Sequence, residues 1–260
     1  MTTFVLRWLQ VCALFAVLLY NWVANARPLN GLNASDLTAM FPVAMNPAPY
    51  ALALWGAVYM FLAGFVIVQL LSGMYKQEEI RQIGPWFAIS CLFNIASLVL
   101  WHYLFVVPSL VAMMLLLLSL IVIYTSTRPN GWSSDPLVLW LVQVPFSVYL
   151  SWVFVMTMVR ISATLQEFNR GDFDFSGTVW TVLMLFIIVM VAVVTGMKFR
   201  DSAFILTAMW GVTAIGIANS YNDTIFYTAW SAAGVLLLLT IILLLGQSKL
   251  EHRKPFTKAL

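Results

Sequence analysis

Pro47-Ala-Pro-Tyr-Ala-Leu-Ala-Leu-Trp-Gly-Ala-Val-Tyr59 is where a polar loop runs into a long apolar stretch. Prolines belong in or just before the first helical turn, where a missing N–H costs nothing. Trp55 and Tyr59 are four residues apart, so on a helix they share one face. Two large amphipathic aromatics on one face, close to a membrane surface, suggest the wall of a binding site.

Working outward, the rest of the chain has the same character. It is 62% hydrophobic and only 9% charged, against about 25% charged for a soluble domain. Its mean hydropathy is +0.93. Apolar runs near the length needed to cross a hydrocarbon core of roughly 30 Å recur along it. The alternating ten-residue strands of a membrane β-barrel are absent. The expected fold is an all-α, polytopic transmembrane helical bundle of about eight spans: 4–24, 50–73, 85–106, 108–125, 137–165, 179–198, 203–219 and 225–246.

With eight spans, both termini share a side. That side collects Arg7, Lys76, Arg81, Arg128, Lys198, Arg200, Lys249, Arg253, Lys254 and Lys258. The other side has Arg27, Arg160 and Arg170 beside Asp36, Glu167, Asp172, Asp174 and Asp223. The positive-inside rule places both termini in the cytoplasm, with the plasma membrane as the expected location. Ala24-Asn25-Ala26 has the form of a signal-cleavage site, but the run before it is long enough to span and reads as an anchor helix. Asn33-Ala-Ser and Asn222-Asp-Thr are glycosylation sequons in expected outer loops.

Several chemistries find no residues. Cys12 and Cys91 fall inside spans and read as buried free thiols. A zinc site lacks a ligand cluster. His102 and His252 lie on opposite sides of the membrane, so they cannot share one haem. His102 alone is a candidate axial ligand or, more commonly, an interfacial hydrogen-bonding group. No span has a mid-depth lysine for a retinal Schiff base, and no P-loop, paired intramembrane carboxylates or Ser/His/Asp set is present. Buried acids, the usual mark of proton and ion pathways, are not evident. No catalytic or metal residues are assigned, and neither an enzyme nor a nucleic-acid binder is expected.

What remains is aromatic and polar residues at helical spacing. Pro145, Tyr149, Trp152, Met156 and Arg160 form one stripe of the fifth span. Asn94, Ser97 and Trp101 form another in the third. Ala51, Trp55, Tyr59 and Leu62 form one in the second. At about 1.5 Å per residue, Trp55, Trp101 and Trp152 share the outer half of the bilayer, and Asn94 and Tyr59 lie nearer its middle. Apolar walls with a few placed polar groups are how ligand pockets are built. Trp and Tyr also form interfacial belts without binding anything, and Trp22, Trp86, Trp132 and Trp230 are assigned to that belt. Arg160 sits near the outer interface. It either snorkels, pairs with Glu167 or Asp36, or meets a carboxylate or phosphate on an amphipathic ligand. Small residues along the seventh span, from Ala208 to Ala218, allow close helix packing, and the basic Lys249–Lys258 tail can touch anionic headgroups.

The Pro47–Tyr59 stretch resembles the second-helix motif of the tryptophan-rich sensory protein family, TspO/MBR, related to the mitochondrial translocator protein. Ala24–Gly31 with Ser35-Asp36 resembles the outer loop of longer bacterial members. Tyr149-Leu-Ser-Trp152 resembles the opening of the family's fifth helix, and Asn94 falls where the third tends to carry Asn. Arg160 stands where the family pattern has Asn, Ala51 or Leu52 where it has an aromatic, and Ser97 where it has Trp. The resemblance covers residues 1–165. It implies a five-helix core capped by the first loop, hydrophobic ligands such as porphyrins and sterols, and frequent homodimers. It also links members to porphyrin breakdown, for which this chain offers no acid–base set. The corresponding organisation is a core over 1–165, an outer loop over 166–178, a three-helix extension over 179–248 and a basic tail over 249–260. The expected ligand-binding set is Tyr50, Trp55, Tyr59, Asn94, Trp101, Tyr149, Trp152, Met156 and Arg160. The expected partners are the lipid bilayer and a hydrophobic small molecule, tetrapyrrole-like or sterol-like, with no certain cofactor. The alternative is a structural subunit of a larger membrane complex, its pocket filled by lipid or pigment.

Overall fold

Among the described residues, eight apolar helices make up the bundle. The computed structural model describes residues 3–27, 30–32, 34–71, 73–74, 77–168 and 177–251. The Asn33 sequon, residues 169–176 of the expected outer loop, Lys76 and the tail from His252 onward lie outside the described residues.

The elements in order are α1 (Thr3–Ala26), α2 (Ala34–Met40), a 3-10 turn (Pro49–Ala53), α3 (Leu54–Leu70), α4 (Glu78–Arg81), α5 (Trp86–His102), α6 (Val106–Ser126), α7 (Pro136–Val138), a π turn (Leu139–Gln143), α8 (Val144–Phe168), α9 (Gly177–Phe199), α10 (Ser202–Ala218) and α11 (Asp223–Glu251). Among the described residues six stretches are long and apolar enough to cross a membrane: Phe4–Ala24, Pro49–Leu70, Val106–Ser126, Pro136–Phe168, Gly177–Phe199 and Asp223–Gly246. Trp86–His102 and Ser202–Ala218 are apolar but shorter, at 17 residues each. The chain is an integral membrane protein with an all-helical bundle fold.

The most buried stretch is Pro136–Phe168. Its helix α8 packs on α3, α6, α9 and α10, while α1 closes against α3 and α5. Near the start of α8, Phe146 meets Phe65 and Phe87 edge-on, with centroids 5.1 to 6.2 Å apart among the three. The small residues of α10 permit close contact, as their spacing implies. Gly211 faces Val155 of α8, and Gly216 faces Ala229 of α11. Cys91 is buried, but Cys12 is exposed on α1. Helix α1 presents most of its surface to lipid, so the expectation of two buried thiols holds for one only.

Helix α9 ends with Arg200 at φ 52° and a hydrogen bond from Asp201 N–H to the Gly196 carbonyl. That left-handed cap turns Asp201 inward. Its Oδ1 caps α10 by accepting from Phe204 N–H at 2.9 Å. Its Oδ2 accepts from Tyr124 at 2.8 Å and Ser147 at 2.6 Å, and lies 3.5 Å from the Arg128 guanidinium. Arg128 also donates to the carbonyls of Tyr124 and Gln143, to Thr127 Oγ1 and to Ser147 Oγ. Its guanidinium lies over the rings of Tyr124 and Trp132. Burial lowers its pKa from the ordinary value, and the Asp201 charge opposes that shift. A buried acid is therefore present after all, fully engaged at a helix junction. Trp132, assigned to the belt, instead donates to the Phe199 carbonyl at 2.8 Å.

Two measurements follow from this packing. Asp201→Leu leaves Arg128 buried and unpaired and should cost about 3–5 kcal/mol in detergent-solubilised unfolding, with much of that recovered in the Arg128→Met/Asp201→Leu double variant. A Cβ on Gly216 would stand 2.8 Å from Ala229 Cβ, whereas one on Gly234 meets nothing within 4 Å. Gly216→Ala should therefore lose about 1–3 kcal/mol in the same assay, and Gly234→Ala should not.

Candidate functional site

At the end of the bundle opposite the termini, α1, α3, α5, α6 and α8 splay around a cavity of about 510 Å³. Helix α2 lies over it, contributing Leu37 and Thr38. Trp55, Tyr59, Asn94, Trp101, Met156 and Arg160 all line it. Sequence reasoning did not assign Asn21, Trp22, Ala24, Leu52, Gly56, Leu98, His102, Met113 or Leu116 to this site, and they line it as well.

Trp55 and Tyr59 stack on one another with centroids 5.8 Å apart. Behind Trp55 stand Tyr149 and Trp152, edge-on at 6.3 and 6.2 Å. These two are buried in the core and support the wall from behind; neither lines the cavity. Tyr149 instead holds Asn94, whose Nδ2 donates to its hydroxyl at 3.1 Å. Asn94 is 2% exposed, and its Oδ1 has no hydrogen-bond partner. The Trp152 indole N–H is likewise without an acceptor.

Tyr50 is placed elsewhere. The Pro49–Ala53 turn advances three residues per turn, not 3.6, so Tyr50 falls out of phase with Trp55. It is 43% exposed and meets Trp210 of α10 edge-on at 5.3 Å.

Near the roof, Arg160 lies over the Trp101 ring, 3.6 Å from its centroid. Phe41 packs on the same indole at 4.7 Å, so Trp101 is held between the two. Arg160 donates to Ser109 Oγ at 3.2 Å. Among the described residues it makes no ion pair with Glu167 or Asp36, and at 9% exposure it does not snorkel. His102 donates from Nδ1 to the Leu98 carbonyl at 2.8 Å. Leu104, at φ 62°, occupies the left-handed position that caps α5, with Phe105 N–H bonded to the Leu100 carbonyl. This tight α5–α6 turn fixes Trp101 and His102 at the cavity edge.

A family model described as TSPO-like protein matches residues 7–242. The chain belongs to the TSPO-like family. No curated protein and no solved structure matches it. The TSPO-like match runs past the five spans that carry the motifs and takes in α9, α10 and most of α11. TSPO-like proteins are membrane proteins that bind hydrophobic ligands, and in this member the cavity stands on the helices whose motifs mark the family. Among the described residues no group of three or more potential metal ligands occurs.

The unsatisfied indole N–H gives a direct test of the wall. Trp152→Phe removes a buried donor without a partner and should stay within about 1.5 kcal/mol of the parent. Trp152→Ala should lose about 3–5 kcal/mol through the void it opens, read by the same unfolding assay.

Proposed function

We propose that this protein binds a flat or elongated amphipathic small molecule, tetrapyrrole-like or sterol-like, as a receptor, sensor or carrier in the membrane. The observation that carries this reading is the cavity itself. It holds about 510 Å³, within the 300–1,000 Å³ usual for small-molecule sites. Its walls are aromatic and aliphatic, and its polar groups are few and convergent. Stacked Trp55 and Tyr59 suit a broad apolar face, and dispersion against two rings grows with the contact area of the bound molecule.

The proposed setting is the plasma membrane with both termini cytoplasmic, as the lysine and arginine distribution indicates. The cavity then opens toward the outer leaflet, where α2 lies over it.

Gly56 supplies the test. It lines the cavity, and a Cβ there meets nothing within 4 Å. Gly56→Leu should fill the space without disturbing the fold. Titration of detergent-solubilised protein with protoporphyrin or a fluorescent sterol should give saturable tryptophan quenching, and Gly56→Leu should weaken it at least about tenfold, or 1.4 kcal/mol, with unchanged thermal unfolding. Equal quenching in both proteins would place the ligand elsewhere.

A further inference from the structure

Among the described residues that line the cavity, Arg160 is the one charged side chain. A guanidinium has five N–H donors and is always protonated. One donor reaches Ser109 Oγ. Ser109 in turn donates to the Val106 carbonyl at 2.7 Å, so its oxygen is a neutral acceptor that cancels no charge. The Trp101 ring supplies a cation–π contact. The penalty for burying an ion exceeds what one cation–π contact returns, so the ring alone leaves it largely uncompensated. The contrast with Arg128 is direct, since that guanidinium has a carboxylate and four further acceptors.

The second unsatisfied group lies deeper. Asn94 Oδ1 has no partner, while its Nδ2 is held by Tyr149. Asn94 and Trp101 are seven residues apart on α5, a rise of about 10 Å. Between those levels the lining is Trp55, Leu98, Met113, Leu116 and Met156, with the Tyr59 hydroxyl, which faces the Asn21 and Asn94 side chains, and the small hydroxyl of Ser97. The Ser97 hydroxyl is already directed at the Ser109 carbonyl.

We infer that the cavity selects an amphipath with an oxyanion, carboxylate or phosphate, at Arg160 and a hydroxyl at Asn94, spaced about 10 Å apart across an apolar body. This rests on the ligand-binding reading above and adds its charge and polarity. The anion pairs with Arg160 in fork geometry. The hydroxyl donates to Asn94 Oδ1, which is otherwise buried at a cost. Tyr149 acts as a positioning residue, fixing the amide.

The test uses the full chain in detergent with four probes: decanoate, methyl decanoate, decyl phosphate and ω-hydroxydecanoate. Each competes against the quenching ligand, in the parent and in Arg160→Gln, Arg160→Lys and Asn94→Leu. The parent should prefer decanoate to its methyl ester. Arg160→Gln should abolish that preference by weakening the acid about tenfold while leaving the ester unchanged, and Arg160→Lys should retain part of it. The gain from the ω-hydroxyl should vanish in Asn94→Leu and persist in Arg160→Gln. The tighter of decanoate and decyl phosphate identifies a carboxylate or a phosphate headgroup as the natural source. Unchanged ester binding shows that the variants fold. Equal weakening of acid and ester by Arg160→Gln, or no acid preference in the parent, overturns this inference while the ligand-binding reading stands. Loss of all binding in the parent, porphyrin and sterol included, overturns both.

Discussion

The Asp201 carboxylate is the point on which the bundle turns. In lipid there is no water to satisfy a stray polar group, so a buried acid persists only where its partners are built around it. Asp201 has them: Tyr124 from α6, Ser147 from α8, Arg128 from the loop after α6, and the first turn of α10. One side chain thereby joins the motif-bearing helices to the last three. With the terminal end locked, α8 is held at the centre, and the helices around it can part only at the opposite end. The cavity lies at that end.

The two buried arginines sharpen the contrast. Arg128 is enclosed by a carboxylate, two carbonyls, two hydroxyls and two rings. Arg160 has one hydroxyl and one ring. The same chemical group is structural at one end and under-satisfied at the other. A membrane protein tolerates the second condition where the charge has work to do in a cavity.

The helices were legible because apolar runs of spanning length have few readings. The expected 50–73 and 203–219 became Pro49–Leu70 and Ser202–Ala218, differences of one to three residues at the ends. Trp55 with Tyr59, and Asn94 with Trp101, were legible because helical spacing puts each pair on one face, and both faces line the same cavity. Tyr50 was misplaced because the 3-10 turn breaks that phase. Trp22 looked like belt; although 69% exposed, it also borders the cavity, because α1 leans on α3 and α5. Arg128 read as a charge flanking a span, and Asp201 was given no role. Only the left-handed cap at Arg200 turns the acid inward, and no hydropathy pattern encodes that cap.

The last three helices also hold the cavity roof. Ala48 N–H donates to the Ala214 carbonyl at 3.0 Å, Asn219 Nδ2 to the Ala44 carbonyl at 2.7 Å, and Trp210 Nε1 to the Ala51 carbonyl at 3.4 Å. All three bonds join α10 or its cap to the strand of chain between α2 and α3. That same strand carries Phe41, which presses on Trp101 from the side opposite Arg160. Helix α10 is therefore tied to α6 and α8 at one end through Asp201 and to the roof at the other. A bundle of five helices alone would leave Ala44, Ala48 and Ala51 without these partners and the roof without its outer support. The family match through residue 242 agrees with that mechanical dependence: the cavity and the helices that steady its roof form one packed unit.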